Sequence, residues 1–268
     1  MDTALDADAL RARLVALHGP YAALDVVAST QSTNADLAAA DGALDRTVLI
    51  ALEQTAGQGR RGRSWSSPPG GLYASVLFRP SGVPPQQLPW LNLIAGLALV
   101  RVAQSTGVEA AVKWPNDLLL GPQARKGAGI LSEITADGAV VVGIGLNVAK
   151  LPTDVQPAPG GLAATSLEDE GAAELDRTEL AVRLLVELAV LEGVWRKNGG
   201  DAVESGLLEE YQEHSATIGE HVRVELTGGV ELLGTAQRIE RDGTLVVRGA
   251  DGADHGVSAG DVVHLRPA

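Results

Sequence analysis

The segment Gly57-Gln58-Gly59-Arg60-Arg61-Gly62-Arg63-Ser64-Trp65 holds the densest run of glycine and arginine in the chain. Gly57, Gly59 and Gly62 spell G-x-G-x-x-G, and Gly57 to Ser64 come within one residue of a phosphate-binding P-loop, with Arg63 where its lysine would stand. Both motifs need a helix directly after the glycines, because the helix N-terminus holds the phosphate. Here Ser66-Ser67-Pro68-Pro69-Gly70-Gly71 follows, and no helix can start there, so both readings are excluded. What survives needs no helix. Glycines let a backbone approach a ligand and expose its N–H groups. Arg60, Arg61 and Arg63 suit carboxylate or phosphate, and Trp65 can stack on a base. The alternative is a basic surface loop with no ligand.

Three further segments have side chains with chemistry to offer. In Lys113-Trp114-Pro115-Asn116-Asp117, Pro115 turns the chain at a strand end; Lys113 can neutralise phosphate, and Asn116 and Asp117 either serve a nucleotide and its Mg2+ or simply satisfy the turn. In Arg125-Lys126-Gly127-Ala128-Gly129-Ile130-Leu131, a lysine followed by small residues suits close ligand approach or marks a surface lysine entering a strand. Gly143-Ile144-Gly145-Leu146-Asn147-Val148 places two glycines in an apolar strand, which implies that a ligand or a helix packs tightly there. Gly256-Val257-Ser258-Ala259-Gly260 fits the nucleophile-elbow pattern but lacks the following helix, so it reads as a turn. His18, His214, His221, His255 and His264 show no metal-ligand spacing, and no zinc site is expected.

Composition narrows the partners. The 268 residues include 21 Lys+Arg and 34 Asp+Glu, a net charge of −13, which argues against general nucleic-acid or anionic-membrane binding. There is no cysteine, which removes disulfides, thiolate metal sites and cysteine nucleophiles. The first thirty residues lack a basic start and an apolar core, so no signal peptide is expected. The most apolar stretch, Leu91 to Val102, is interrupted by Asn92 and Arg101 and is too short to span a bilayer. A cytoplasmic protein is expected.

These segments need a scaffold. Leu10, Leu14 and Leu17 have helical spacing within residues 6–17, closed by Gly19-Pro20. Strands are predicted over Leu24–Ala28, Thr47–Ala56, Leu72–Arg79, Ala110–Lys113, Leu118–Leu120, Gly129–Thr135 and Ala139–Val148, with a hairpin turn at Ala136-Asp137-Gly138. Ser32 or Thr33 caps a short helix over Ala35–Ala40. Leu88–Gln104 reads as a buried helix with Pro89 in its first turn. Leu151 to Thr165 reads as a loop. Asp176-Arg177-Thr178-Glu179 resembles a capping box opening a helix that buries Leu180, Leu184, Leu188, Leu191 and Trp195 and stops at Asn198-Gly199-Gly200. A shorter helix is predicted over Asp201–Glu213. From Ile218 onward, Val222–Leu226, Leu232–Ile239, Leu245–Val247 and Val262–Leu265 are short apolar runs separated by Gly228-Gly229, Asp242-Gly243 and Asp251-Gly252, a small all-β module of about 50 residues. The boundary falls near Ser215, giving units 1–214 and 215–268.

In order along the chain, these segments resemble biotin–protein ligases. The match runs through Ser32-Thr33-Asn34, Glu53 to Trp65, Lys113 to Asp117, Lys126 to Leu131, Gly143 to Asn147 and Thr165-Ser166-Leu167, and spans about Leu24 to Arg266. Each motif alone is weak, whereas the ordered set is specific. The resemblance implies an α/β (α+β) fold, with a class II aminoacyl-tRNA synthetase-like catalytic domain and a C-terminal SH3-like barrel. It implies that biotin and ATP, with Mg2+, form biotinyl-AMP, and that a lysine of a biotin carboxyl carrier domain then takes the biotinyl group. By matched position, Ser32, Thr33, Asn34 and Gln54 resemble the ureido-ring contacts, with Gly59 beside them on the biotin side. A neutral ureido group needs such neutral donors and acceptors. Arg60 and Lys126 resemble the catalytic pair on the biotin carboxylate and α-phosphate, and Trp65 the residue against adenine. Arg63, Lys113, Asn116, Asp117 and Asn147 map to the nucleotide side, and direct metal ligands are not assigned.

The sequence departs from the family pattern at two places. Gln58 replaces the first arginine of the usual Gly-Arg-Gly-Arg, removing one charge from the loop, and Gly127 stands in the usual Lys-Leu-Ala-Gly-Ile. About thirty residues precede Ser32-Thr33-Asn34, too few for a helix-turn-helix as well as the first strand, so a ligase that binds no DNA is expected. A lipoate–protein ligase shares fold and adenylation chemistry, but its arginine–glycine signature is not seen here and the biotin-type ureido residues are present. Octanoyl transferases of the superfamily need a cysteine. A non-catalytic biotin-binding protein would have lost Lys113, Asn116, Asp117, Lys126 and Asn147 first.

Overall fold

The computed structural model describes residues 5–152, 155, 157–158, 161–226, 230–258 and 260–265. One mixed sheet is built from β1 (Ala23–Val27), β2 (Thr47–Ala51), β3 (Leu72–Phe78), β4 (Ala110–Lys113), β5 (Asp117–Leu120), β6 (Arg125–Ile134) and β7 (Val140–Leu146). Their spatial order is β1-β2-β3-β7-β6-β5-β4. β1 and β2 run parallel, and every other neighbouring pair is antiparallel. The helices are α1 (Ala7–Leu14), α2 (Thr33–Ala38), α3 (Trp90–Ser105), α4 (Arg177–Lys197) and α5 (Leu207–Glu213).

The two faces of the sheet do different work, and β7 shows why. Val140, Val142, Ile144 and Leu146 point into the main core, which they share with α3. Alternate residues point the other way: Val141 packs with Leu37 of α2, while Gly143 and Gly145 leave that face open. α3 is apolar over most of its surface and is largely buried between the sheet and α4. With the 3-10 turn before it, the helical segment Pro85–Ser105 is long and apolar enough to cross a membrane, longer than the sequence suggested, but most of it is core.

The C-terminal unit is a five-stranded antiparallel sheet of β8 (His221–Glu225), β9 (Glu231–Ile239), β10 (Leu245–Gly249), β11 (Asp254–Val257) and β12 (Asp261–His264), in the order β11-β10-β9-β8-β12. Among the described residues no ladder joins β11 to β12. Two indoles key this sheet to the larger unit: Trp114 Nε1 donates to Gly243 O at 3.0 Å and Trp90 Nε1 to Arg241 O at 2.7 Å.

Several local expectations are corrected. α1 ends at Leu14, and Leu17 is exposed because the chain turns away before it. The second strand stops at Ala51, well short of Ala56. α5 starts only at Leu207, because Gly206 at φ +76° interrupts the helix. β11 was not anticipated; it contains Gly256 and Val257 of the elbow-like pattern, whose Ala259 lies outside the described residues. The Gly228-Gly229 turn also lies outside them. Half of the capping box forms: Asp176 accepts from the Thr178 and Glu179 amides, but the Glu179 carboxylate pairs with Arg13 of α1 instead of reaching back.

Candidate functional site

A cavity of about 600 Å3 opens on the α2 face of the large sheet. All thirteen residues assigned to the site by resemblance line it: Ser32, Thr33, Asn34, Gln54, Gly59, Arg60, Arg63, Trp65, Lys113, Asn116, Asp117, Lys126 and Asn147; Arg61, the other arginine of the loop, does not. The cavity has a neutral end and a charged end.

The neutral end is built where α2 starts over β3 and β7. Ser32 caps α2, accepting from Ala35 N at 3.4 Å. Capping turns Thr33 and Asn34 inward, where both are buried. Gln54 Oε1 accepts from Thr33 N at 2.9 Å, and its Nε2 donates to Ser67 Oγ at 2.9 Å. Asn34 Nδ2 donates to Leu131 O at 3.0 Å and to Glu133 Oε2 at 2.8 Å. Gly143 explains itself here: a Cβ at that position would lie 2.1 Å from Asn34 Oδ1.

The charged end joins β5, β6, the glycine-rich segment and the C-terminal sheet. Gly57 to Trp65 forms a tight reversal rather than a helix start. Gly59 N donates to Arg63 O at 2.7 Å, Trp65 N to Gly57 O at 2.8 Å, and the tip is a 3-10 turn with Arg61 at φ +56°. Asp261 of β12 gathers its arginines, lying 3.0 Å from Arg63, 3.4 Å from Arg61 and 3.6 Å from Arg60. Arg60 Nη1 also donates to Gly260 O at 3.0 Å and to Asn116 Oδ1 at 3.4 Å. Burial pulls the Arg60 pKa below its usual value, and Asp261 opposes that pull.

Lys126 reaches the cavity through a β-bulge. Asp117 pairs with Gly129, but Leu119 pairs with Lys126, so one residue too many lies on β6 and Gly127 is the extra one. Without the bulge Lys126 would alternate onto the core face. With it, Lys126 Nζ lies 2.6 Å from Asp117 Oδ1 and 5.4 Å from the Trp65 ring centroid. Gly127 packs on Leu120, where a Cβ would come within 2.2 Å. The unusual glycine at this position therefore fills a structural need. Lys113 Nζ donates to Val262 O at 2.6 Å and lies 3.8 Å from Asp117. Burial lowers its pKa, with Asp117 opposing.

Between the two ends lies a glycine floor. Cβ atoms on Gly145 and Gly129 would come within 2.4 Å and 3.0 Å of the Trp65 indole, so of the two glycines in β7, Gly145 receives an aromatic ring and Gly143 receives Asn34 of helix α2. The floor's edge is pinned by Asn147, whose Nδ2 donates to Thr165 O at 2.9 Å, while Lys126 N donates to Ala163 O at 2.8 Å. Asn116 Nδ2 donates to Ile130 O at 3.0 Å.

Sequence reading missed three residues of this site. Ser75, fully buried in β3, lies 2.7 Å from both Thr33 Oγ1 and Asn34 Oδ1. Its signal was a single serine in the otherwise apolar and aromatic run Leu72–Phe78. Glu133 and Asp261 carried no signal, since each acts on a partner far away in the chain.

An α/β sheet with its cavity on one face and a small β unit beside it is the architecture of acyl-adenylate-forming ligases of the class II aminoacyl-tRNA synthetase type. A biotin protein ligase from Aquifex aeolicus, solved in complex with biotin and ATP, superposes with a TM-score of 0.74 at 26% identity, covering 92% of this chain and 100% of that one. Residues 23–148 match the biotin/lipoate A/B protein ligase family and residues 217–265 the biotin protein ligase C-terminal domain. The biotin–[acetyl-CoA-carboxylase] ligase of Mycobacterium tuberculosis is 45% identical over 98% of this chain and 96% of its own length. The bifunctional ligase/repressor BirA of Bacillus subtilis is 32% identical over 85% of this chain and 69% of its own. The chain belongs to the biotin/lipoate A/B protein ligase family.

Proposed function

We propose that the cavity binds biotin and ATP together, joins them as biotinyl-AMP, and passes the biotinyl group to a lysine of a biotin carboxyl carrier domain. The observation that carries this reading is one continuous cavity with neutral hydrogen-bonding groups at one end and Arg60, Arg63, Lys113 and Lys126 at the other. Its volume is that of an ordinary small-molecule site, roughly 300–1,000 Å3. Ser32, Thr33 and Gln54 take the neutral ureido ring. Asn34 belongs to the same corner, but its two amide hydrogens are spent on Leu131 and Glu133.

In the first half-reaction a biotin carboxylate oxygen attacks the α-phosphorus and pyrophosphate departs. Lys126 and Arg60 lie where the carboxylate and phosphate oxygens would meet, and fixed cations lower the cost of the charge that gathers there. Gly59 lets the loop backbone come close. Trp65 flanks the ligand above the glycine floor, and Lys113, Asn116, Asp117, Arg63 and Asn147 form the nucleotide side. In the second half-reaction the carrier lysine's amine attacks the acyl carbon and AMP leaves.

Mg2+ belongs to this proposal as the companion of the ATP phosphates. Among the described residues no group of three acidic or histidine side chains could hold a metal, and Asp117 is already engaged by Lys126. The protein's own donors therefore fit a metal brought in by the nucleotide better than a resident one. We assign the catalytic unit to residues 1–214 and the C-terminal unit to 215–268. The separate sheets and the family match beginning at residue 217 support this division. Action in the cytoplasm, where carboxylases and ATP are found, completes the reading.

Biotin-dependent exchange of label between pyrophosphate and ATP tests the function directly. Exchange with biotin is expected. Exchange with lipoate alone would move the assignment to lipoate ligation, and exchange with neither would leave a binding protein.

A further inference from the structure

Ser75 has no assigned part in the reaction, yet the geometry gives it one. Its side chain is fully buried, and its Oγ lies 2.7 Å from Thr33 Oγ1 and 2.7 Å from Asn34 Oδ1. A serine hydroxyl has a single hydrogen, so it can donate to only one of them. The Asn34 amide decides which. Its Nδ2 faces Leu131 O and Glu133 Oε2. The reverse orientation would set an acceptor against two acceptors, so Oδ1 must face Ser75. Oδ1 can only accept, hence Ser75 donates to Asn34. The Ser75 oxygen is then left to accept, and Thr33 supplies the hydrogen across 2.7 Å.

The donors thus run in one direction: Thr33 to Ser75, Ser75 to Asn34, Asn34 to Glu133. Each bond polarises the next toward the carboxylate. Thr33 Oγ1 also lies 3.1 Å from Gln54 Oε1. If Thr33 donated there instead, two oxygens at 2.7 Å would face each other with no hydrogen between them. Gln54 Oε1 is therefore left with the Thr33 amide as its one donor, at 2.9 Å, and one lone pair is free. Thr33 and Gln54 both line the cavity, so the hydrogen-bond order leaves two acceptor oxygens on its lining residues.

We propose that Ser75 is a specificity-determining positioning residue, which turns Thr33 and Gln54 into acceptors for the N–H groups of a neutral cyclic urea, and that Asn34 anchors this relay without touching the ligand. The proposal rests on the biotin reading above. It explains why residue 143 is glycine: a side chain there would strike Asn34 Oδ1. It also predicts rejection of acids of similar length whose far end carries no N–H, because the two acceptors would be buried unpaired.

In Ser75→Ala, Thr33 loses its acceptor and turns its hydrogen to Gln54, filling the lone pair the ligand needs. The Kd and KM for biotin should rise about tenfold, the usual loss for one buried hydrogen bond left unmade, while KM for ATP and kcat at saturating biotin stay as in the parent. Thr33→Val, which keeps the shape and removes the hydroxyl, should lose at least as much. Because Ser75 acts through Thr33, the double variant should be no worse than Thr33→Val within about twofold. Ser75→Cys keeps the volume with a weaker donor and carries the test should the alanine variant not fold. A folded Ser75→Ala protein with biotin affinity within twofold of the parent overturns the proposal, as do losses that multiply in the double variant. Failure of the parent itself to bind biotin would overturn the functional reading instead, which separates the two.

Discussion

At the Thr33 end of the cavity the polar groups are held by hydrogen bonds among amides and hydroxyls that finish on the Glu133 carboxylate, outside the cavity lining, with donors and acceptors already aimed. At the Lys126 end four cations line the wall, and the protein satisfies them with its own acids and carbonyls: Asp117 for Lys126, Asp261 for Arg63 and Arg60, and Val262 O for Lys113. The difference is one of preorganisation. A neutral ligand joins the first end without breaking anything, so its hydrogen bonds add to binding. An anionic ligand at the second end must compete with Asp117 and Asp261 for their partners. Its gain is therefore the difference between two sets of charge interactions. That exchange is a physical route to coupling between the C-terminal sheet and the glycine-rich loop, because Asp261 belongs to the first and its arginines to the second.

Four experiments can break or sharpen this contrast. The largest effect is expected from Lys126→Ala. A positioned cation facing developing charge is commonly worth about 3 kcal/mol, or about a hundredfold in rate. Biotinyl-AMP formation should fall by that factor with the melting temperature little changed. Near-normal adenylation by the folded variant would show that another cation does this work. Next comes Arg60→Gly. Charge-assisted hydrogen bonds to the mixed anhydride are strong, and Gln58 leaves Arg60 without a neighbouring arginine on that side. Release of biotinyl-AMP should rise by about tenfold, a loss of roughly 1.4 kcal/mol, with labelling of a bystander protein rising in step. Unchanged release would make the loop's arginines surface charges.

Salt gives the third measurement. Screening lengths shrink from about 10 Å at 0.1 M to about 3 Å at 1 M ionic strength. ATP affinity should weaken severalfold over that range, while an uncharged biotin ester, which uses only the neutral end, should hold within about twofold. Equal sensitivity would erase the distinction between the ends. The smallest effect is expected from Asp261→Asn. Partly exposed ion pairs are worth up to about 1 kcal/mol each, so trypsin nicking after Arg61 and Arg63 should quicken by a factor of about two to five. Adding biotin with ATP should slow it again. No change would mean that the backbone hydrogen bonds of the reversal hold the loop by themselves.

Much of this site was legible before any coordinates. Ser32 as a cap, the turn at Ala136 to Gly138, the buried α3 and the Leu180-to-Trp195 face of α4 all follow from signals within one or two turns of chain. The charged residues stood out by type and spacing, and Arg60, Arg63, Lys113, Asp117 and Lys126 reached the cavity, whereas Arg61 turns to Glu225 O and Asp261 of the C-terminal sheet. The small β unit was visible as four of its five strands. β11 escaped because its run Asp254 to Val257 has one apolar residue and gains its hydrogen bonds only from β10. α5 was drawn too long because it was carried across Gly206, where the backbone turns at φ +76° and the helix starts only afterwards.

Short-range chemistry was enough to name the cavity's residues, since glycine, proline, capping side chains and alternation act over a few bonds of backbone. Their partners and the directions of their hydrogens were another matter. Ser75 meets Asn34 across 41 residues and Arg63 meets Asp261 across 198, and no local pattern encodes such pairs. The Gly127 bulge is the sharpest case. Plain alternation along β6 would send Lys126 into the core, and only the ladder with β5 shows the extra residue that turns it to the cavity. A buried hydroxyl or a bulge takes its meaning from whichever strand lies beside it, and that neighbour is set by the packing of the whole sheet.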